Sequence, residues 1–227
     1  MKISVLIPCY NEIHTIREIL RRVRAVPIDM EIIVVDGNST DGTRDILREE
    51  EKSPETRVIY MPYRTGRGLA LKTAMKEAVG DIFLFQDADL ELNPAEYPIL
   101  LEPFQNPQVN VVFGSRFKGH EFEPANSWQV TGNRAITKVV NFFYGSHLTD
   151  VETGYQVFRR QVVEGMIIRG NEFQFTVELT CKILKRGYDI VEVPVTFEPR
   201  DAEAGKKLRL KDGLESVWTL LKYRIID

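Results

Sequence analysis

The sequence predicts an α/β fold built on a mainly parallel central sheet, and three features predict it. Apolar runs of strand length alternate with segments of helical periodicity through the first half. Those runs are apolar throughout, the pattern of strands covered on both faces. Polar or glycine-containing segments follow them, at the edge where open α/β sheets bind ligands. With 227 residues, 43% hydrophobic and 28% charged, the chain suffices for one domain with a sizeable core.

The elements follow in order. Residues 3–8 (ISVLIP) read as a first buried strand, and 14–24 as a helix with Ile16, Ile19, Leu20 and Val23 on one stripe. EIIVVD (31–36) is a second strand, 43–52 a polar-faced helix and RVIYM (57–61) a third strand. Residues 68–78 form a helix closed by Gly80, and IFLFQ (82–86) a fourth strand. The second half is less regular. It gives a strand at 109–115, an unusually apolar helix at 135–145, a strand at 153–160 and a helix at 175–187. A long strand at 188–200, a polar loop at 201–207 and an amphipathic helix at 210–226 complete it. No internal repeat or linker interrupts this order, so one domain spans 1–227.

Bulk properties exclude several classes. A formal net charge of −3 implies no general affinity for nucleic acid. Cys9 and Cys181 form no CxxC pair and fit a reducing compartment. The first residues read as a strand rather than a signal peptide, and no apolar run reaches the roughly 18 to 20 residues that span a bilayer. The expected location is therefore cytoplasmic.

The informative stretch is FLFQDADLEL (83–92). An apolar strand ends at Gln86, and Asp87, Asp89 and Glu91 follow at alternating positions. Paired carboxylates from one turn offer the hard oxygen ligands that Mg²⁺ and Mn²⁺ prefer. Ala88 between them is small enough for a ligand to approach the backbone. The competing reading is an acidic turn capping the helix that NPAEY begins. Tyr10, Glu12 and Asp36 follow the first two strands at the same edge. Arg64, Gly66, Arg67 and Gly68 form a cationic loop suited to phosphate.

Seven segments in order carry a resemblance. They are IPCYNE (7–12), VVDGNSTDGT (34–43), RTGRGLALKTAMKEAVGD (64–81), FQDADLEL (85–92), FGSRF (113–117), DVETGYQVFRR (150–160) and EVPVTFEPR (192–200) with a Gly-Lys-Lys loop after it. Together they resemble the inverting family 2 glycosyltransferases of the GT-A (Rossmann-like) fold. The last three are similar to the dolichyl- or polyprenyl-phosphate mannose synthase branch.

The resemblance implies a division of labour. Residues 1–116 form a nucleotide-sugar-binding half, and 117–227 an acceptor-side half. Asp87 and Asp89 are implied metal ligands, joined by Glu91 where the branch carries a Gln. Pro8, Tyr10, Glu12, Asp36, Arg67, Asp87, Ala88, Asp89, Arg200 and Lys206 are the implied donor-binding residues. Gly37 replaces the family's second acidic residue, which leaves GDP-mannose and UDP-glucose both open as donors. Asp89, Arg116, Arg134, Asp150 and Arg200 are the implied catalytic set, with Arg116 and Arg134 on an acceptor phosphate. Asp150 is either a base for a hydroxyl acceptor or a positioning group for a phosphate acceptor.

A polyprenyl or dolichyl phosphate acceptor would place the chain at the cytoplasmic membrane face. The anchor is then the apolar helix at 135–145, the final helix, or a membrane-anchoring subunit. The same residues leave open a saccharide acceptor, or a catalytically silent GT-A subunit.

Overall fold

The computed structural model describes residues 1–119, 127–172 and 174–199, without the side chains of 127–129. The first half runs β1 (Ile3–Cys9), α1 (Ile16–Arg24), β2 (Met30–Asp36), α2 (Thr43–Glu50), β3 (Thr56–Tyr60), α3 (Arg67–Glu77) and β4 (Ile82–Phe85). Every bound lies within two residues of the expectation. Then come α4 (Tyr97–Leu101), β5 (Val111–Ser115), α5 (Ser127–Tyr144), β6 (Gln156–Arg159), α6 (Arg160–Val163), α7 (Gln174–Lys185) and β7 (Ile190–Pro194). Short 3-10 turns flank α4, and Asn93 caps the first by accepting from the Ala95 amide at 3.1 Å.

The second half departs from expectation in identifiable ways. The helix α5 begins at Ser127 rather than 135. The strand β7 ends at Pro194 rather than 200, where the ladder meets a residue with no amide proton. The loop at 201–207 and the helix at 210–226 lie outside the described residues, as do Arg200 and Lys206.

The sheet has seven strands in the order β3-β2-β1-β4-β6-β5-β7. All neighbours are parallel except those involving β6, which runs antiparallel to both β4 and β5. Register aligns Cys9 with Asp36 and Asp36 with Tyr60, while Leu6 pairs with Phe85. The carboxyl ends of β1 to β4 therefore share one edge.

Period-two alternation splits the core between the two faces. Val5, Ile7, Ile32, Val34 and Leu84 pack with Ile16, Ile19 and Leu20 of α1 and Tyr97 of α4. Leu6, Ile33, Val35, Phe83 and Phe85 pack with Leu71 and Ala74 of α3 and with Phe175 and Leu179 of α7. A third cluster joins Ile136 and Val140 of α5 to Val177 and Cys181 of α7. Thus one face of α5 is core. The other leaves Arg134, Lys138 and Phe142 exposed, Phe142 at 83%. No described helix is long and apolar enough to cross a membrane.

Candidate active site

The acid turn leaves β4 where the sequence places it. Asp87, Asp89 and Glu91 are each partly exposed. Leu90 takes a left-handed conformation (φ 64°), and the Glu91 amide donates to Asp89 Oδ1 at 3.2 Å. Ala88, between Asp87 and Asp89, is 3% exposed, and its methyl joins the core. Arg67, the first residue of α3, grips the turn: Nε donates to Asp87 Oδ1 at 2.8 Å and Nη2 to Oδ2 at 3.3 Å. Its Nη1 donates to Thr176 Oγ1 of α7 at 3.0 Å. Gly68 lets α3 approach α7 this closely, since a Cβ there would lie 2.6 Å from the Phe175 Cβ. Gly154 abuts the same carboxylate, where a Cβ would meet Leu92 at 2.6 Å and Asp87 Oδ2 at 3.0 Å.

The loops after β1 and β2 are laced together. The Asn11 amide donates to Ser39 Oγ, that of Glu12 to Thr43 Oγ1 and that of Ile13 to Asp41 Oδ2, at 2.9 to 3.1 Å. Tyr10 is partly exposed, with the Arg64 guanidinium 5.1 Å from its ring centroid. Glu12 accepts from Thr15 Oγ1 at 2.8 Å, and Pro8 is partly exposed on β1. Asp36 is fully buried. Its carboxylate takes the Arg44 guanidinium and the amides of Asn38 and Ser39, and so braces the loop after β2. Burial, with the nearby Asp36, Glu12 and Asp41 carboxylates, pushes the Cys9 thiol well above its ordinary range.

Arg116, Arg134 and Asp150 form a second cluster, after β5. Asp150 is fully buried and accepts four hydrogen bonds. They come from the Arg116 amide (3.1 Å), Arg116 Nε (2.7 Å), Arg116 Nη2 (2.8 Å) and Asn133 Nδ2 (2.6 Å). All four contacts brace the Arg116 side chain and Asn133 around this carboxylate, the geometry of a positioning group. For Arg116, burial opposes the charge, Asp150 outweighs it, and the net shift is upward; Glu91 of the acid turn adds to that shift. The Phe117 ring lies between two guanidinium groups, 5.7 Å from Arg116 and 5.5 Å from Arg134. Glu192 of β7 holds the preceding turn, accepting from Thr149 and from the Asp150 amide at 3.1 Å. The segment after β7 returns to the acid turn, with the Glu198 amide donating to the Glu91 carbonyl at 2.9 Å.

Sequence reasoning overlooked Gln86, Asn133 and Glu192. Glu192 sits inside an apolar strand and Gln86 directly follows one, which was the available signal, whereas the polar first half of α5 offers none for Asn133.

Among the described residues, no three His, Cys, Asp or Glu side chains form a ready-made metal cage. Asp87 and Asp89 still fit a hard divalent cation in kind. They are two partly exposed carboxylates from one turn, and such sites take their remaining oxygens from phosphate and water.

A mostly parallel sheet with one reversed strand, nucleotide-type loops at its carboxyl edge and an acid turn after β4 define the GT-A class of nucleotide-sugar transferase folds. The model of glycosyl transferase family 2 matches residues 4–166, and the chain belongs to that family. It is 31% identical over 231 residues to the low-salt glycan biosynthesis hexosyltransferase Agl6 of Haloferax volcanii, covering 99% of this chain and 53% of that one. It is 31% identical over 238 residues to a dolichol-phosphate mannosyltransferase of Pyrococcus furiosus, covering 98% and 64%. The chain thus spans between half and two thirds of these relatives. A crystal structure of glucosyl-3-phosphoglycerate synthase from Mycobacterium tuberculosis, with Mn²⁺, UDP and glucosyl-3-phosphoglycerate, superposes with a TM-score of 0.74. At 21% identity, covering 100% of this chain and 81% of that one, it supports the fold.

Proposed function

We propose that the chain is an inverting hexosyltransferase that moves mannose or glucose from a nucleoside-diphosphate sugar to a polyprenyl or dolichyl phosphate. The observation that carries this reading is the pairing of two complementary sites at one sheet edge. An acid turn with a detachable guanidinium follows β4, and a braced guanidinium pair around Phe117 follows β5. The first suits a metal-bound diphosphate and the second a phosphate monoester. The dolichol-phosphate mannosyltransferase relative supports the lipid acceptor, and the Mn²⁺ and UDP of the structural neighbour support the donor side.

Asp87 and Asp89 would hold Mg²⁺ or Mn²⁺, with Glu91 beside them. The bound cation supplies charge neutralisation for the departing nucleoside diphosphate. Arg67 exchanges its bonds to Asp87 for bonds to a donor phosphate oxygen. Tyr10 and Glu12 line the nucleoside side. Arg200 and Lys206 take donor phosphate on the strength of the family resemblance. Arg116, oriented by Asp150 and Asn133, and Arg134 orient the acceptor phosphate. That phosphate is already ionised, so its oxygen attacks the anomeric carbon without a base, consistent with the engaged Asp150 carboxylate. The exposed Arg134–Lys138–Phe142 face of α5 would rest on an anionic membrane surface, with or without an anchoring subunit.

The test is calorimetric titration of the whole chain with GDP, UDP, GDP-mannose and UDP-glucose, with and without Mn²⁺. Transfer of labelled sugar to a polyprenyl phosphate or to a free saccharide is then measured. Metal-dependent binding of one nucleotide and label in the lipid phase are expected. Label on the saccharide alone would sink the lipid acceptor, and binding of no nucleotide would sink the enzymatic reading.

A further inference from the structure

Gln86 is the last residue before the acid turn, and it is fully buried. Burying an amide costs free energy unless its groups are paired, and here they are. Its Oε1 accepts from the hydroxyls of Tyr97 and Tyr155, both at 2.9 Å. Its Nε2 donates to the main-chain carbonyl of Asp87 at 3.0 Å. The two tyrosine rings are fully buried and meet edge-to-face at 6.0 Å. Burial pushes both phenols well above their ordinary range, so both stay protonated donors. The Asp87 carbonyl can only accept, so the amide end that faces it is the NH₂, and the oxygen faces the two hydroxyls.

Stability alone does not call for this arrangement. An apolar residue between two phenylalanines would fill the same space with no polar atom to satisfy, and such replacements are often nearly neutral. What the polar version adds is a tether on the Asp87 carbonyl. Tyr97 belongs to α4, and Tyr155 to the loop that carries Asp150 and Gly154. The clasp therefore ties the acid turn to both sides of the site.

We propose that Gln86, oriented by Tyr97 and Tyr155, is a positioning residue. It fixes the angle at which the turn leaves β4, and so the placement of Asp87 and Asp89 toward a metal-bound nucleoside diphosphate. The metal half of this inference rests on the function proposed above, and the test separates the two.

The test uses the full chain carrying Gln86→Met, Tyr97→Phe and Tyr155→Phe together. This removes every side-chain polar atom of the clasp at similar volume and leaves only the Asp87 carbonyl without its side-chain donor. The thermal midpoint is expected to stay within a few degrees. Mn²⁺ affinity in the presence of the binding nucleotide should fall about tenfold, the scale set by outer-shell partners of metal ligands. Hydrogen exchange of the amides at 87–91 should quicken, with those of β1 and β2 unchanged. Tyr97→Phe alone leaves Tyr155 to orient the amide and should change affinity less than about threefold. Unchanged exchange at 87–91 in the triple variant would overturn the tether. Faster exchange with wild-type Mn²⁺ affinity would overturn its role in the site. If the wild type binds neither Mn²⁺ nor nucleotide, the proposed function fails, and the exchange measurement still decides the tether.

Discussion

Two aspartate–arginine pairs stand at the same sheet edge, and they are built for different work. Asp87 and Arg67 keep 26% and 15% of their side chains exposed, and both bonds to the Asp87 carboxylate come from Arg67. Asp150 is wholly enclosed beside Arg116, which keeps 17%, and Asn133 and the Arg116 amide add further bonds. A pair whose carboxylate still meets solvent loses less on parting than one whose carboxylate is wholly buried, because an enclosed charge would be left without solvent or partner. The same two residue types therefore make a looser contact at the acid turn and a fixed scaffold after β5.

The comparison breaks first at Asp150. Asp150→Ala strands the Arg116 charge and should cost about 3 to 5 kcal/mol in urea unfolding. A cost below about 1 kcal/mol would mean that Arg116 finds solvent and is not braced. The acid turn should behave in the opposite way. Asp87→Ala and Asp89→Ala should each change stability by less than about 1 kcal/mol, yet lower sugar transfer at least about a hundredfold. An Asp89→Ala enzyme with normal turnover would remove the metal from the reaction.

How much of this was legible follows from where the signals are local. The first four strands and three helices could be read because continuous apolar runs and helical stripes such as Ile16, Ile19, Leu20 and Val23 report burial directly. The reversal of β6 could not, since QVFR reads the same in either direction and only its neighbours fix the pairing. The 135–145 segment looked ambiguous between core and membrane because α5 carries apolar residues on both faces, with Val140 inward and Phe142 outward. Asp87, Asp89 and Arg67 were identifiable from one turn and one loop. That Asp36 and Asp150 are buried anchors was not, because Arg44, Arg116 and Asn133 reach them from other segments.

Arg67 sharpens the comparison next. Its removal frees Asp87, so Arg67→Ala should bind Mn²⁺ alone at least about threefold to fivefold more tightly, the worth of a partly exposed pair. With nucleotide present the order should invert, because the phosphate contact is gone. Spin-resonance titration of Mn²⁺ reads both. Unchanged affinity without nucleotide would show that the pair does not compete with a cation.

The smallest effect concerns Asp41, whose carboxylate is held by neutral donors. Its Oδ1 accepts from the Thr43 amide and hydroxyl, at 3.0 and 2.6 Å, and its Oδ2 from the Ile13 amide at 3.1 Å. Burial alone would raise its carboxyl, but the bonds from Thr43 and Ile13 prevail and hold it below the ordinary value. A lowered carboxyl contributes stability that is complete above the unfolded value of about 3.9 and is lost as pH falls through the folded one. Asp41→Ala should therefore cost about 1 kcal/mol at neutral pH, with the gap to wild type closing in strong acid. Urea curves across that range read the gap. A gap that persists after the carboxyl is protonated would mean that the lacing of the loops after β1 and β2 depends on shape rather than on charge, unlike either arginine pair.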